Sequence, residues 1–126
     1  MTVDSPPIAK LRAELAAQVA PPLEVSTRSS QYYFSEDSAA FSEIDVRDGE
    51  AFAIVVIEGA LPSEEFVVRV WHRYADEVWL VDLADEAVIV VPRTGVIRVY
   101  EIGEIVRSPR LPELQISVAS VFGAVN

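Results

Sequence analysis

Two acidic residues stand where the sequence could place paired carboxylates at the ends of neighbouring strands. Asp37 follows a short extended piece, and Glu58 follows the apolar stretch 51–57 and precedes a helix. Magnesium and manganese ions take carboxylate oxygens, and a bound ion polarises a phosphate and lowers the pKa of an attacking water. The pair therefore indicates metal-assisted hydrolysis. Composition alone favours ordinary solvated loop acids, since residues 35–65 contain nine acidic side chains.

The composition excludes several other kinds of active site. The chain has no cysteine and one histidine, His72. It therefore has no thiolate nucleophile, no zinc–thiolate site and no multi-histidine metal cage. A formal net charge of −10 argues against a large surface for non-specific nucleic-acid binding, because phosphate binding requires clustered lysine and arginine. Six arginines fall in residues 66–126, so an anionic partner is expected to meet that half of the chain.

Length and hydropathy predict one soluble domain. The 126 residues, of which 51% are hydrophobic, can bury a core without disulfides or a structural metal. No apolar run approaches the roughly 20 residues needed to span a bilayer, and the first residues lack a signal-peptide layout. We therefore expect a single domain over residues 1–126, a cytoplasmic location and no membrane partner.

The first half predicts one helix and several short strands. Apolar residues recur at helical spacing over residues 8–19, after a cap at Asp4 or Ser5 and before Pro21. The following segments are predicted as a strand at residues 23–27, a bend at 28–30, extended pieces at 31–34 and 38–41, and an acidic connection at 42–50 with a turn at Asp48-Gly49.

The second half predicts the centre of a sheet. Residues 51–57 are apolar without alternation, which is typical of a strand covered on both faces. A helix is predicted from Pro62 to Tyr74 or Ala75, and a buried strand at 77–82. The remaining predictions are a hairpin of residues 87–91 and 96–100, an edge strand at 104–107, an extended piece at 114–116 and a helical turn from Ser117 through Phe122. Together these elements predict an α/β (α+β) fold, a mixed β-sheet flanked by helices.

The motifs of the second half resemble those of a known family. Residues 55–63 read VVIEGALPS, and residues 77–82 read EVWLVD. Gly103-Glu104, Ser108-Pro109, Leu111-Pro112 and VASVF at residues 118–122 follow as a closing segment. This series is similar to the Uma-type family of restriction-endonuclease-like proteins, a branch of the PD-(D/E)XK nuclease superfamily. The resemblance covers about residues 55–122 and implies a restriction-endonuclease-like domain.

The resemblance also implies roles for individual residues. Glu58 falls on the family's catalytic glutamate, and Asp37 falls on its first metal ligand, with Glu36 in place of the preceding proline. In an active member this pair would hold Mg²⁺ or Mn²⁺. The stretch 64–67 has an apolar residue where the family has lysine. Arg69 is the nearest cation, and it can stabilise developing charge but cannot act as a base.

The departures from the family leave two functions open. The first is a nuclease-like domain, without the family's amino-terminal hairpin, whose metal-dependent hydrolysis of DNA is reduced or lost. The second is a non-catalytic acidic module that forms a homodimer or binds another protein through its sheet edge. A third idea is that the acidic stretch 35–65 imitates the charge of a nucleic acid.

Two groups of arginines admit both a functional and a structural interpretation. Four arginines gather around the predicted hairpin: Arg93, Arg98, Arg107 and Arg110. They either form a strip that binds DNA or an acidic partner, or they are the solvent-exposed face of the sheet. On the predicted second helix, His72 and Arg73 beside Arg69 are either phosphate contacts or a solvated face with Arg69–Glu65 and Arg73–Glu77 pairs.

Three aromatic residues could stack bases or fill the core. Trp71 and Tyr74 share the apolar side of the predicted helix, and Trp79 falls inside a predicted buried strand. This spacing favours core packing for all three.

Overall fold

The apolar stretches of the sequence become the strands of one mixed sheet. The computed structural model describes residues 5–34, 37–61 and 65–123, and for residues 28–34, 37–42 and 66 it describes the backbone alone. Asp4, Glu36 and residues 62–64, which the sequence analysis used, lie outside these ranges. The elements are α1 (Pro6–Gln18), β1 (Leu23–Phe34), β2 (Asp37–Asp48), β3 (Ala51–Glu58), α2 (Glu65–Trp71), β4 (Ala75–Asp82), β5 (Ala87–Pro92), β6 (Arg98–Tyr100), β7 (Ile105–Val106), β8 (Ile116–Ser117) and α3 (Val118–Phe122).

The main sheet has six strands in the order β1-β2-β3-β4-β5-β6. Only β3 and β4 are parallel, and α2 connects them, whereas every other neighbouring pair is antiparallel. The predicted fold class is therefore confirmed. The expected edge strand at residues 104–107 is present only as β7, which pairs with β8 in a separate two-stranded sheet.

Both faces of the main sheet are covered by apolar side chains. On the α1 face, Ile54 and Val56 of β3 pack with the buried side chains of α1, β7, β8 and α3. On the α2 face, Val55 and Ile57 pack with Val67 and other residues of α2. Successive residues of a strand point to opposite faces of the sheet. When both faces are covered, every position of the strand is buried, and apolar residues do not alternate with polar ones. This explains the unbroken apolar run in the sequence.

The helix termini follow the capping residues found in the sequence. The Ser5 hydroxyl accepts a hydrogen bond from the Ile8 amide at 3.4 Å, and α1 ends at Gln18, with Val19 as its C-cap before Pro21-Pro22. The Ser117 hydroxyl accepts one from the Ser120 amide at 3.3 Å and starts α3. Both predicted caps are confirmed.

The prediction for residues 28–50 is correct in part. The extended pieces at 31–34 and 38–41 lie in β1 and β2, and the turn at Asp48-Gly49 is confirmed, but the bend at 28–30 and the connection over 42–48 are wrong. Instead of a bend and an acidic connection, β1 and β2 form a continuous antiparallel ribbon in which Leu23 pairs with Asp48 and Phe34 with Asp37. The overlooked signal is the alternation of buried Ile44 and Val46 with polar residues. Pairing of β2 with β3 covers only residues 44–48 of β2, so the rest of the ribbon pairs within itself.

The second helix is shorter than predicted. It ends at Trp71, and residues 72–74 form turns that lead into β4. The chain has to leave the helix there because Ala75 already pairs with Phe52, near the beginning of β3. Trp71 and Trp79 are buried as expected, whereas Tyr74 lies beyond the helix and is 58% exposed. No helix within the described ranges is long and apolar enough to cross a membrane.

A buried carboxylate ties the closing segment of the chain to the sheet. Glu77 of β4 is 1% exposed. One of its carboxylate oxygens accepts from the Trp79 indole at 3.0 Å and from the Ser108 hydroxyl at 2.8 Å, and the other accepts from the Arg110 amide at 2.6 Å. These bonds hold residues 108–110 against β4. The sequence analysis did not predict this contact.

Replacement of this carboxylate is expected to destabilise the fold. Glu77→Gln turns one acceptor into a donor that faces other donors, so we expect the free energy of unfolding to fall by about 1–3 kcal/mol. Urea denaturation measures the change, with the exposed Glu113→Gln as the matched control. Equal stability of the two variants would show that the three hydrogen bonds contribute little.

Candidate active site

Glu58 lies at the end of the sheet where the carboxyl termini of the two parallel strands, β3 and β4, lie side by side. It is the last residue of β3 and pairs with Val81 of β4. The Gly59 amide then donates to the Val81 carbonyl at 3.0 Å, and Gly59 turns the chain away with φ of +148°, a conformation that glycine adopts without strain. The carboxyl ends of such strands are where ligands bind in open α/β sheets.

A shallow cavity lies at this edge. The Glu58 cavity has a volume of about 360 Å³ and is lined by Glu58, Gly59, Ala60 and residues 81–84. Asp82, the last residue of β4, contributes a second carboxylate, and its Oδ1 accepts from the Asp85 amide at 3.1 Å. The sequence analysis missed Asp82 as a site residue. The available signal was that Asp82 is the last residue of β4, as Glu58 is the last residue of the parallel strand β3.

The acids of this cavity do not make a complete metal site. Within the described ranges, no group of three or more histidine, cysteine, aspartate and glutamate side chains is arranged to hold an ion. Magnesium requires near-octahedral coordination at about 2.0–2.1 Å, usually from one or two carboxylates with water and substrate oxygens. Glu58 and Asp82 would therefore supply at most two protein ligands, and an Mg²⁺ or Mn²⁺ ion held here would need water and substrate oxygens to complete its coordination.

The strand register separates Asp37 from Glu58. Ile44 pairs with Val56, so a continued register would place residue 42 opposite Glu58. Asp37 lies five residues further along β2, at the tip of the ribbon, which corresponds to about 17 Å at the rise of an antiparallel strand. The Asp37 side chain is outside the described part of the structure, and the backbone of Asp37 lies beyond the stretch of β2 that pairs with β3.

β2 carries two buried acids close to β3, Glu43 and Asp45. Both are buried, and each has an interaction partner in the structure. Asp45 pairs with Val55 and shares its α2 face, whereas strand alternation places Glu58 on the opposite face with Val56. The segment predicted as an acidic connection therefore contains two carboxylates that are buried in the sheet.

Arg69 is engaged by a neighbour on its own helix. Its Nη2 lies 2.7 Å from Glu65 Oε1, and its side chain is 74% exposed. With Glu65 and His72 it lines a cavity that shares no residue with the Glu58 cavity. The predicted Arg69–Glu65 pair is confirmed. The Arg73–Glu77 pair is wrong, because Glu77 is buried in its own hydrogen-bond network and Arg73 lies beyond the helix end.

The four arginines of the predicted basic strip divide into two pairs. Arg110 contacts Asp76 at 3.1 Å and Asp48 at 3.8 Å, and Arg93 lies 3.9 Å from Asp76. Arg98 and Arg107 instead line a common cleft. Neither of these two forms an ion pair in the described part of the chain.

Comparison with known proteins supports the fold but does not assign a family. No protein-family model matches the chain, and no curated protein matches it. Among solved structures, it is similar to a "putative nuclease belonging to DUF820" from Anabaena variabilis ATCC 29413, with a TM-score of 0.64 and 13% sequence identity. The match covers 97% of this chain and 83% of the other. At this identity the similarity concerns the fold, which is therefore nuclease-like over nearly the whole chain.

The strength of the ion pair between Arg69 and Glu65 can be measured. Because the pair is exposed, we expect a double-mutant cycle of Glu65→Ala and Arg69→Ala to give a coupling of about 0.3–0.5 kcal/mol by thermal unfolding. A coupling well above about 1 kcal/mol would contradict a simple surface pair.

Proposed function

We propose that this protein is a nuclease-like domain of the PD-(D/E)XK class, a degenerate relative of the Uma-type family. Its metal-dependent hydrolysis of phosphodiesters is reduced or lost. The observation that carries the proposal is the position of Glu58, within VVIEGALPS, at the carboxyl end of a parallel strand in a nuclease-like sheet. The resemblance of the motifs and the similarity of the fold both support this class.

The reduction follows from the charges that surround Glu58. Phosphodiester cleavage depends on preorganised charge at the reacting phosphate. The register that keeps Asp37 away and the Glu65 partner of Arg69 both argue against such an arrangement. Residual hydrolysis would need the ribbon tip to bring Asp37 to Glu58 around a shared Mg²⁺ or Mn²⁺, with Arg69 released to the phosphate.

A plasmid-nicking assay with Mg²⁺ and with Mn²⁺ tests this proposal. We expect wild-type protein to cleave slowly or not at all, and Glu58→Gln and Asp37→Asn to remove whatever cleavage remains. The control is Glu50→Gln, an exposed acid in the turn between β2 and β3 at the opposite edge of the sheet. Efficient cleavage that Glu58→Gln abolishes and Glu50→Gln preserves would contradict the reduced activity.

An exposed apolar strip supports the second function, an interaction module that forms a homodimer. Seven large apolar side chains are exposed in the described ranges, and five of them belong to residues 96–105: Val96, Ile97, Val99, Ile102 and Ile105. This strip includes β6, a three-residue strand at the edge of the sheet. Contiguous apolar surface and an unpaired edge are typical of protein interfaces. We propose a second copy of this chain as the partner.

Sedimentation equilibrium tests the homodimer. We expect the wild-type protein to dimerise and Val99→Lys to shift it toward the monomer, because a charge would be buried in the interface. Leu83→Lys is the matched control, since Leu83 is also exposed but lies outside the strip. A monomeric wild type over the whole concentration range would eliminate the proposed interface.

A further inference from the structure

A cleft lies between β6 and the loop that follows β7. This β6 cleft has a volume of about 670 Å³, and the side chains that matter here are Arg98, Tyr100, Glu104 and Arg107. Arg98 pairs with Val90 and Tyr100 with Val88, both of which belong to the core of the α1 face. The cleft therefore opens beside that face of the sheet.

The two arginines of the cleft have no acidic partner although acidic residues outnumber basic ones 20 to 10. Their neighbours Arg93 and Arg110 are held by Asp76, whereas Arg98 and Arg107 form no ion pair in the described part of the chain. The Glu104 carboxylate in the cleft wall accepts from the Glu101 amide at 2.8 Å instead of binding an arginine. Two guanidinium groups thus face one recess with their donors available.

The backbone that carries these arginines is held in place. Arg107 lies between the buried residues Val106 and Ser108, and the Ser108 hydroxyl donates to Glu77 at 2.8 Å. The Tyr100 hydroxyl donates to the Arg107 carbonyl at 3.4 Å, which places the aromatic ring next to that arginine. A fixed site loses less conformational entropy when it binds a ligand.

We propose that the β6 cleft binds the phosphodiester backbone of single-stranded nucleic acid, with Arg98 and Arg107 each contacting phosphate oxygens. Guanidinium groups bind phosphate through two parallel hydrogen bonds, and an aromatic side chain such as that of Tyr100 provides a surface for a base. The choice of a phosphodiester over a carboxylate ligand rests on the proposed nuclease-like function. A recess of about 670 Å³ with two cations, in a protein of net charge −10, suits a short single strand rather than a duplex.

The cleft is separate from the Glu58 cavity. A row of paired residues, Glu58, Val81, Val88 and Tyr100, crosses four neighbouring strands on one face. Three strand spacings place the Cα atoms of Glu58 and Tyr100 about 14 Å apart. Binding at the cleft can therefore be measured without hydrolysis, and it need not respond to Glu58.

Fluorescence anisotropy with a labelled oligothymidylate in EDTA tests the proposal. We expect the Arg98→Ala/Arg107→Ala variant to raise the Kd at least about tenfold, since two charge-assisted contacts are lost. The slope of log K against log salt should fall by about 1.4, which is two phosphate contacts at about 0.7 each for a single strand. Arg73→Ala removes one exposed arginine outside the cleft and should change the Kd less than about twofold.

The remaining outcomes are distinct. Equal loss in Arg73→Ala, or no binding by the wild type, would overturn the cleft as a nucleic-acid site. Displacement of the oligonucleotide by polyglutamate as readily as by unlabelled oligothymidylate would assign the cleft to an acidic protein instead. Unchanged binding by Glu58→Gln is expected whatever the nicking assay shows, so failure of the proposed hydrolysis and failure of this inference are told apart.

Discussion

The parallel pairing of β3 with β4 is the constraint on which the rest of this structure depends. Parallel neighbours require a crossover connection, which α2 supplies, and a sheet with such a pair at its centre is covered on both faces. The pairing accounts for the two apolar runs in the sequence. It also brings the ends of both strands to one edge, where Glu58 and Asp82 line the same cavity.

The acidity of the chain is divided between its surface and its interior. Glu43, Asp45 and Glu77 are buried, so part of the acidic surplus counted in the sequence is absent from the surface. Asp48 and Asp76 engage Arg110, and Asp76 also lies near Arg93. Of the four arginines around the predicted hairpin, Arg98 and Arg107 are the two without an ion pair in the described residues, and both line the β6 cleft, which is why we propose that this recess attracts an anion despite the net charge of the protein.

The sequence predicted the elements that carry a strong periodic signal. The capped helix α1, the two central strands and the final helical turn were confirmed because apolar spacing and capping residues agree there. The ribbon of β1 and β2 was missed because serine, aspartate and glutamate resemble loop residues, although Ile44 and Val46 alternate as a strand requires. Glu58 was proposed from its motif, and the structure places it at the carboxyl end of β3, whereas the position of Asp37 depends on strand register, which composition does not reveal. Asp82 and the Glu77 network join residues far apart in the chain and could not be derived from local patterns.

The central proposal is that Glu58 has the position of a nuclease carboxylate without the partners that bind a catalytic metal tightly. Calorimetric titration with Mn²⁺ tests it most directly, with Glu58→Gln and Asp37→Asn measured alongside the wild type. The account predicts that the wild type binds Mn²⁺ no more tightly than either variant does. Stoichiometric binding of one ion, lost in both variants, would contradict it, since Asp37 and Glu58 would then share a metal.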